Sequence, residues 1–152
     1  MTKVKERQQD EHATRARSQG REFALKLLYL FDIRGKEDAD KEMPLLFARE
    51  PAHRESHSFA RELYEGTASR CEELDAKIVG IAENWNIGRM AYIDRAILRM
   101  GVYELLFCQD IPPKVTISEG IELAKRYSTD KSSAFVNGIL DKVFQTCCPE
   151  KT

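Results

Sequence analysis

Apolar residues return every three or four positions along most of this chain, and no stretch alternates apolar with polar residues between turn formers. Phe23, Leu27, Leu28, Leu30 and Phe31 mark a first amphipathic helix, which begins near Gly20 and stops at Gly35. Pro44 and Pro51 bracket LLFARE, predicting a single short helix followed by a loop. Ser56 or Ser58 then caps a long helix whose apolar face runs Phe59, Leu63, Gly66 or Thr67, Cys71, Leu74, Ile78, Ile81 and Trp85. Gly66, Thr67 and Ser69 weaken helix propensity, so a kink or break is expected between Gly66 and Leu74. The link NWNIGRM, centred on Asn86 and Gly88, follows.

The next helix, over about residues 90–107, is apolar around more than half of its circumference, with Ile93, Ile97, Met100 and Phe107 on one stripe. Ala96 and Gly101 admit a close neighbour, which places this helix at the centre of the fold. Pro112 and Pro113 stop it. Thr116 and Glu119 stand in the T-x-x-E relation of a capping box, opening a helix with Ile117, Ile121 and Ala124 inward. Ser132 or Ser133 caps the last helix, which turns Phe135, Val136, Ile139, Leu140, Val143 and Phe144 to the core. The pattern predicts an all-α bundle of six or seven helices with short links.

The chain has 152 residues, enough for one domain, placed at 19–148. Residues 1–18 are polar and bury too little to repay their ordering entropy, so they are expected to form a flexible basic tail. The 24 Lys and Arg nearly balance 25 Asp and Glu, which excludes a molecule-wide field that selects nucleic acid or membrane. The charge is unevenly placed, however. Residues 1–26 carry seven bases and four acids, whereas residues 61–75 carry two bases and five acids. No apolar run approaches the roughly 20 residues of a membrane span and the start has no export signal, so a cytoplasmic protein with no membrane contact is expected. Cys71, Cys108, Cys147 and Cys148 show no metal-site spacing and read as incidental thiols.

No catalytic constellation emerges. His53 and His57 stand four apart but lack an HExxH pattern, and the carboxylate runs 37–40 and 72–75 have no general-acid counterpart. Asp94 and Glu104 have Arg95 and Arg99 nearby and read as salt-bridge partners. There is no Gly-rich nucleotide loop; no cofactor, metal or enzymatic activity is expected. Two segments remain. Arg15, Arg17, Arg21 and Lys26 lie at the expected start of the first helix, the unfavourable end of its dipole for bases, where guanidinium forks and free N–H groups suit phosphate. The knuckle YSTDKSS, followed by Phe135, gathers hydroxyls, Lys131 and aromatics that suit phosphate, 2′-OH or an unpaired base. Both point to single-stranded RNA; a solubilising tail and a plain turn are the bland alternatives.

REFALKLLY (21–29), IDRAILRMGVYELLF (93–107) and IPPKVTISEGIELAKRYSTDKSSAFVNGILDKV (111–143) resemble the NusB family of bacterial transcription antitermination factors, over about residues 15–145. The resemblance implies seven helices in two packed subdomains and no enzymatic activity. It also implies binding of the boxA element of nascent RNA together with NusE, a small-subunit ribosomal protein, within an RNA polymerase antitermination complex on ribosomal RNA operons. Residue by residue it assigns RNA contact to Arg15, Arg17, Arg21, Lys131, Ser132, Ser133 and Phe135, with Arg99 near the same surface, and NusE contact to Tyr29 and Asp94. The family start is a denser basic run, into which this chain inserts Ser18, Gln19 and Gly20. The expected mechanism sets a basic RNA face against an acidic face around Asp94 and residues 72–75 that docks NusE. A non-RNA helical adaptor and a ribosomal RNA maturation factor are the competing readings.

Overall fold

The computed structural model describes residues 2–82 and 87–152. Trp85 and Asn86, which the sequence places at the end of a helix face and in a link, lie outside the described residues. The described residues form seven α-helices: α1 (Thr2–Arg34), α2 (Lys36–Arg49), α3 (Arg54–Ser69), α4 (Cys71–Ile81), α5 (Tyr92–Phe107), α6 (Pro113–Tyr127) and α7 (Asp130–Cys147). A single 3₁₀ turn, Ile87–Arg89, precedes α5, and no strand occurs among the described residues. The all-α expectation therefore holds. The chain divides into two compact units, Met1–Tyr64 and Glu65–Thr152.

In the first unit, α1 is longer than its apolar pattern suggests. It is helical from Thr2, where the sequence predicts a flexible tail up to residue 18. Lys, Arg, Glu and Gln are good helix formers, and an already nucleated helix extends through them at little cost. Arg15, Arg17 and Arg21 consequently sit in the middle of α1, so the expected dipole conflict and the free N–H groups near Gly20 are both absent. Gly20 instead permits contact with α3, since a Cβ there would stand 2.9 Å from the Ser56 carbonyl oxygen and 3.1 Å from the Phe59 ring. Gly35 ends α1 with φ 95°, as its position in the sequence predicts.

Helix α2 corrects the short-helix reading of LLFARE, because it starts at Lys36 and carries Pro44 inside it. Pro44 is exposed, while Ala39, Met43 and Leu46 on the opposite stripe are buried; their burial outweighs the hydrogen bond that the proline cannot donate. Phe23, Ala24, Leu27 and Leu28 of α1 and Phe59, Ala60, Leu63 and Tyr64 of α3 are also buried. The Tyr64 hydroxyl donates to Asp40 Oδ1 at 2.7 Å.

In the second unit, α5 packs against α4, α6 and α7, and α6 packs along α7. Ile97, Leu98, Met100 and Leu105 are fully buried, as the apolar circumference of this segment predicts, and Gly101 receives Leu140 of α7. The predicted break falls at Arg70, between α3 and α4. Two capping assignments change. Helix α6 starts at Pro113 with Pro112 before it, and Thr116, fully buried, donates its hydroxyl to Glu104 Oε1 at 3.0 Å. Helix α7 starts at Asp130 and is capped by Thr129, whose Oγ1 accepts from the Ser132 N–H at 3.1 Å. At the chain's end, Lys151 Nζ donates to the carbonyls of Glu104 and Leu105 at 2.9 and 3.1 Å, capping the C-terminus of α5.

Candidate nucleic-acid interface

The basic residues of α1 separate by exposure. Arg15 is exposed, and Arg17 is half-buried with its guanidinium carbon 5.4 Å from the centre of the Phe59 ring. Arg21 is only 2% exposed and lies 5.3 Å from the same ring. A guanidinium over an aromatic face gains from the ring quadrupole, and this geometry holds α1 against α3. Arg21 thus packs against α3, where the sequence expects an outward phosphate contact. Lys26 is exposed and pairs with Glu50 at 3.0 Å. Near the start of the same helix, the His12 and His53 rings meet edge to face at 4.2 Å, and the His57 ring stacks on Phe47, also at 4.2 Å. No group of metal-ligating side chains occurs among the described residues.

Arg99 is enclosed in the same way. It is 8% exposed, and its Nε and Nη2 donate to the two carboxylate oxygens of Asp75 at 2.7 and 2.8 Å. This two-point pair ties α5 to α4 and engages an arginine expected near the RNA surface with an aspartate expected on the acidic docking face. Neighbouring Glu73 pairs with Arg70 at 3.3 Å, and the Arg70 guanidinium lies 4.1 Å from the centre of the Phe107 ring. The salt-bridge reading of Asp94 is revised, since its carboxylate accepts from the Ser132 hydroxyl, while Glu104 accepts from the hydroxyl of Thr116.

The turn between α6 and α7 is the most organised polar feature of the second unit. Ser128 Oγ and Thr129 Oγ1 each donate to Ser132 Oγ at 3.0 Å. Ser132 Oγ in turn donates to Asp94 Oδ2 of α5 at 2.8 Å. Ser133, buried, donates to the Asp130 carbonyl at 2.7 Å, which fixes its hydroxyl inside the first turn of α7. Lys131 is exposed, Phe135 is half-buried and Tyr127 is exposed at the end of α6. The turn therefore offers one outward cation, an aromatic edge and two outer hydroxyls. Sequence reasoning named Ser132 and Asp94 for different partners and missed that they touch; a separation of 38 residues carries no local signal.

Tyr29 is 38% exposed on α1 and borders a groove of about 500 Å³ between α1 and α2, with Leu30, Leu45 and Arg49 also on its walls. No helix among the described residues is long and apolar enough to cross a membrane.

A model of the NusB family matches residues 18–145. The transcription antitermination protein NusB of Geobacter sulfurreducens is 47% identical over 136 residues, covering 90% of this chain and 98% of the relative. That of Syntrophus aciditrophicus is 42% identical over 130 residues, covering 86% and 80%. Among solved structures, T. maritima NusB superposes with a TM-score of 0.78 at 35% identity, over 88% of this chain and 94% of that one. A crystal structure of the antitermination factors NusB and NusE in complex with double-stranded RNA gives 0.75 at 28% identity, over 86% and 97%. A family match over residues 18–145, with relatives 47% and 42% identical over most of their own length, shows that the chain belongs to the NusB family.

Proposed function

We propose that this chain is a transcription antitermination factor that binds boxA-type RNA together with NusE and supports elongation by RNA polymerase on ribosomal RNA operons. The observation that carries this reading is the near full-length likeness to antitermination proteins, one of them solved with NusE and RNA. It acts in the cytoplasm, by binding and not by catalysis. On the first unit, Arg15, Arg17 and Lys26 supply positive charge to phosphates, with Arg21 holding their helix in place. On the second, Lys131 serves a phosphate, and Phe135 with the hydroxyl turn serves bases and sugar. Arg99, Ser132 and Ser133 shape that turn and its supporting helix from inside. Tyr29 and the helix start at Asp94 serve NusE.

A fluorescent boxA-like RNA and a scrambled control, titrated with and without NusE at several salt concentrations, test the proposal. Preference for the boxA-like RNA, sharpened by NusE and weakened by salt, is expected. Equal affinity for both RNAs with NusE present overturns it and leaves a helical adaptor for another partner.

A further inference from the structure

The hydroxyl turn carries a direction. A carboxylate only accepts hydrogen bonds, so the Ser132 hydroxyl spends its single hydrogen on Asp94 Oδ2. Its two lone pairs are then filled by the hydroxyls of Ser128 and Thr129, each of which must spend its own hydrogen on Ser132. Ser132 is saturated and has nothing left for a ligand. Ser128 Oγ keeps two lone pairs, and Thr129 Oγ1, which already accepts from the Ser132 N–H, keeps one.

Asp94 itself supplies the second observation. It is nine-tenths buried, and its Oδ1 is buried with no hydrogen-bond partner among the described residues. The first turn of α5 favours this negative charge, but the one hydrogen bond to the carboxylate comes from Ser132, and reversing that hydroxyl would leave both carboxylate oxygens without a donor among the described residues. Leaving such a group unsatisfied is costly, which locks the direction of the whole relay.

We infer that Asp94, acting through Ser132, makes the α6–α7 turn an acceptor-only surface at Ser128 and Thr129, which selects hydrogen-bond donors on RNA and disfavours phosphate. The inference rests on the RNA-binding reading above and refines it, leaving phosphate to Lys131. The donors in question are a ribose 2′-OH or the guanine 2-amino group. Asp94 and Ser132 are positioning residues in this scheme, and neither touches the RNA.

The test measures the affinity of the full chain for the boxA-like RNA, a 2′-deoxy version and a version with inosine in place of guanosine, without NusE. The wild type is expected to lose about fivefold to tenfold on at least one altered ligand, the size of one hydrogen bond; which ligand loses identifies 2′-OH or amino group. Ser132→Ala and Asp94→Ala both free the outer hydroxyls to rotate and donate, and both are expected to bring that ratio within about twofold. Circular dichroism melts confirm that each variant is folded, and Asp94→Asn, which keeps an acceptor oxygen, is expected to retain discrimination. Discrimination lost in Ser132→Ala but intact in Asp94→Ala would mean that Ser132 contacts RNA directly, and would overturn the inference. So would a wild type that binds the boxA-like RNA and both altered ligands equally. Absence of preference for the boxA-like RNA over a scrambled one, with NusE present, instead removes the RNA-binding reading itself.

Discussion

Arg99 and Asp75 close a two-point ion pair between α5 and α4, with side chains 10% and 24% exposed. The guanidinium is nearly buried and the carboxylate partly so, and solvent replaces a missing partner only in part. Arg99→Ala is expected to destabilise the protein by about 2–3 kcal/mol, because the carboxylate is left uncompensated. RNA affinity of the folded protein should stay within about twofold of wild type, a fraction of the worth of one hydrogen bond. Urea unfolding and RNA titration of the same preparation check both statements; a stable variant with lost RNA affinity would restore Arg99 to the RNA surface.

Gly66 and Gly80 respond to alanine in opposite ways. A Cβ at Gly66 would fall on the Tyr103 ring, whereas at Gly80 nothing lies within 4 Å. Gly66→Ala is expected to cost about 1–3 kcal/mol through overpacking. Gly80→Ala, in the exposed last turn of α4, should gain roughly 0.5–1 kcal/mol from reduced backbone freedom and better helix propensity. Thermal melts of the two variants decide the matter.

Asp40 gives a pH signature. Hydrogen bonds from Lys36 and then from Tyr64 hold its carboxyl below the ordinary value of 3.8. A carboxylate lowered in the folded state adds stability above pH 3.8, and that contribution is lost as pH falls through its folded value. Tyr64→Phe removes one of the two donors and should cost about 1 kcal/mol at neutral pH. The difference from wild type is expected to narrow below pH 3.8, measured by denaturant unfolding across the acid range. A gap that widens on acidification would contradict the assignment.

The outward cations differ from the buried ones. Arg15→Ala and Lys131→Ala should each weaken RNA binding and reduce the slope of log affinity against log salt by about 0.7, the signature of one lost phosphate contact on a single strand. Arg21→Leu should leave that slope unchanged while lowering the melting temperature. Titrations at four salt concentrations separate the two behaviours.

What the sequence conveys here is mostly local. The apolar stripe of α5, the stop at Gly35 and the break at Arg70 depend on neighbours within a turn or two, and each appears where expected. The misreadings come from partners distant in sequence. Thr116 looks like half of a capping box until Glu104 takes its hydroxyl, and Ser132 looks like a cap until Asp94 takes its own. Arg21 carries a charge that the sequence reading turns outward, and Arg99 one that the family resemblance sets near the RNA surface, yet Phe59 and Asp75 give each a reason to lie inside. The polar start of α1 misled for another cause: lack of burial argues against a helix standing alone and says little about one extended from a packed segment. The proposed RNA surface is legible in the sequence as a cluster of residue types. Which of them face outward is not, because side-chain direction is decided by packing that the pattern does not record.

The most direct test of the central claim is read-through of a terminator in a transcription extract depleted of its own NusB, on templates carrying boxA or a scrambled element upstream. Addition of this chain is expected to restore read-through on the boxA template alone. Equal read-through on both templates, or none from folded protein, would contradict the antitermination account.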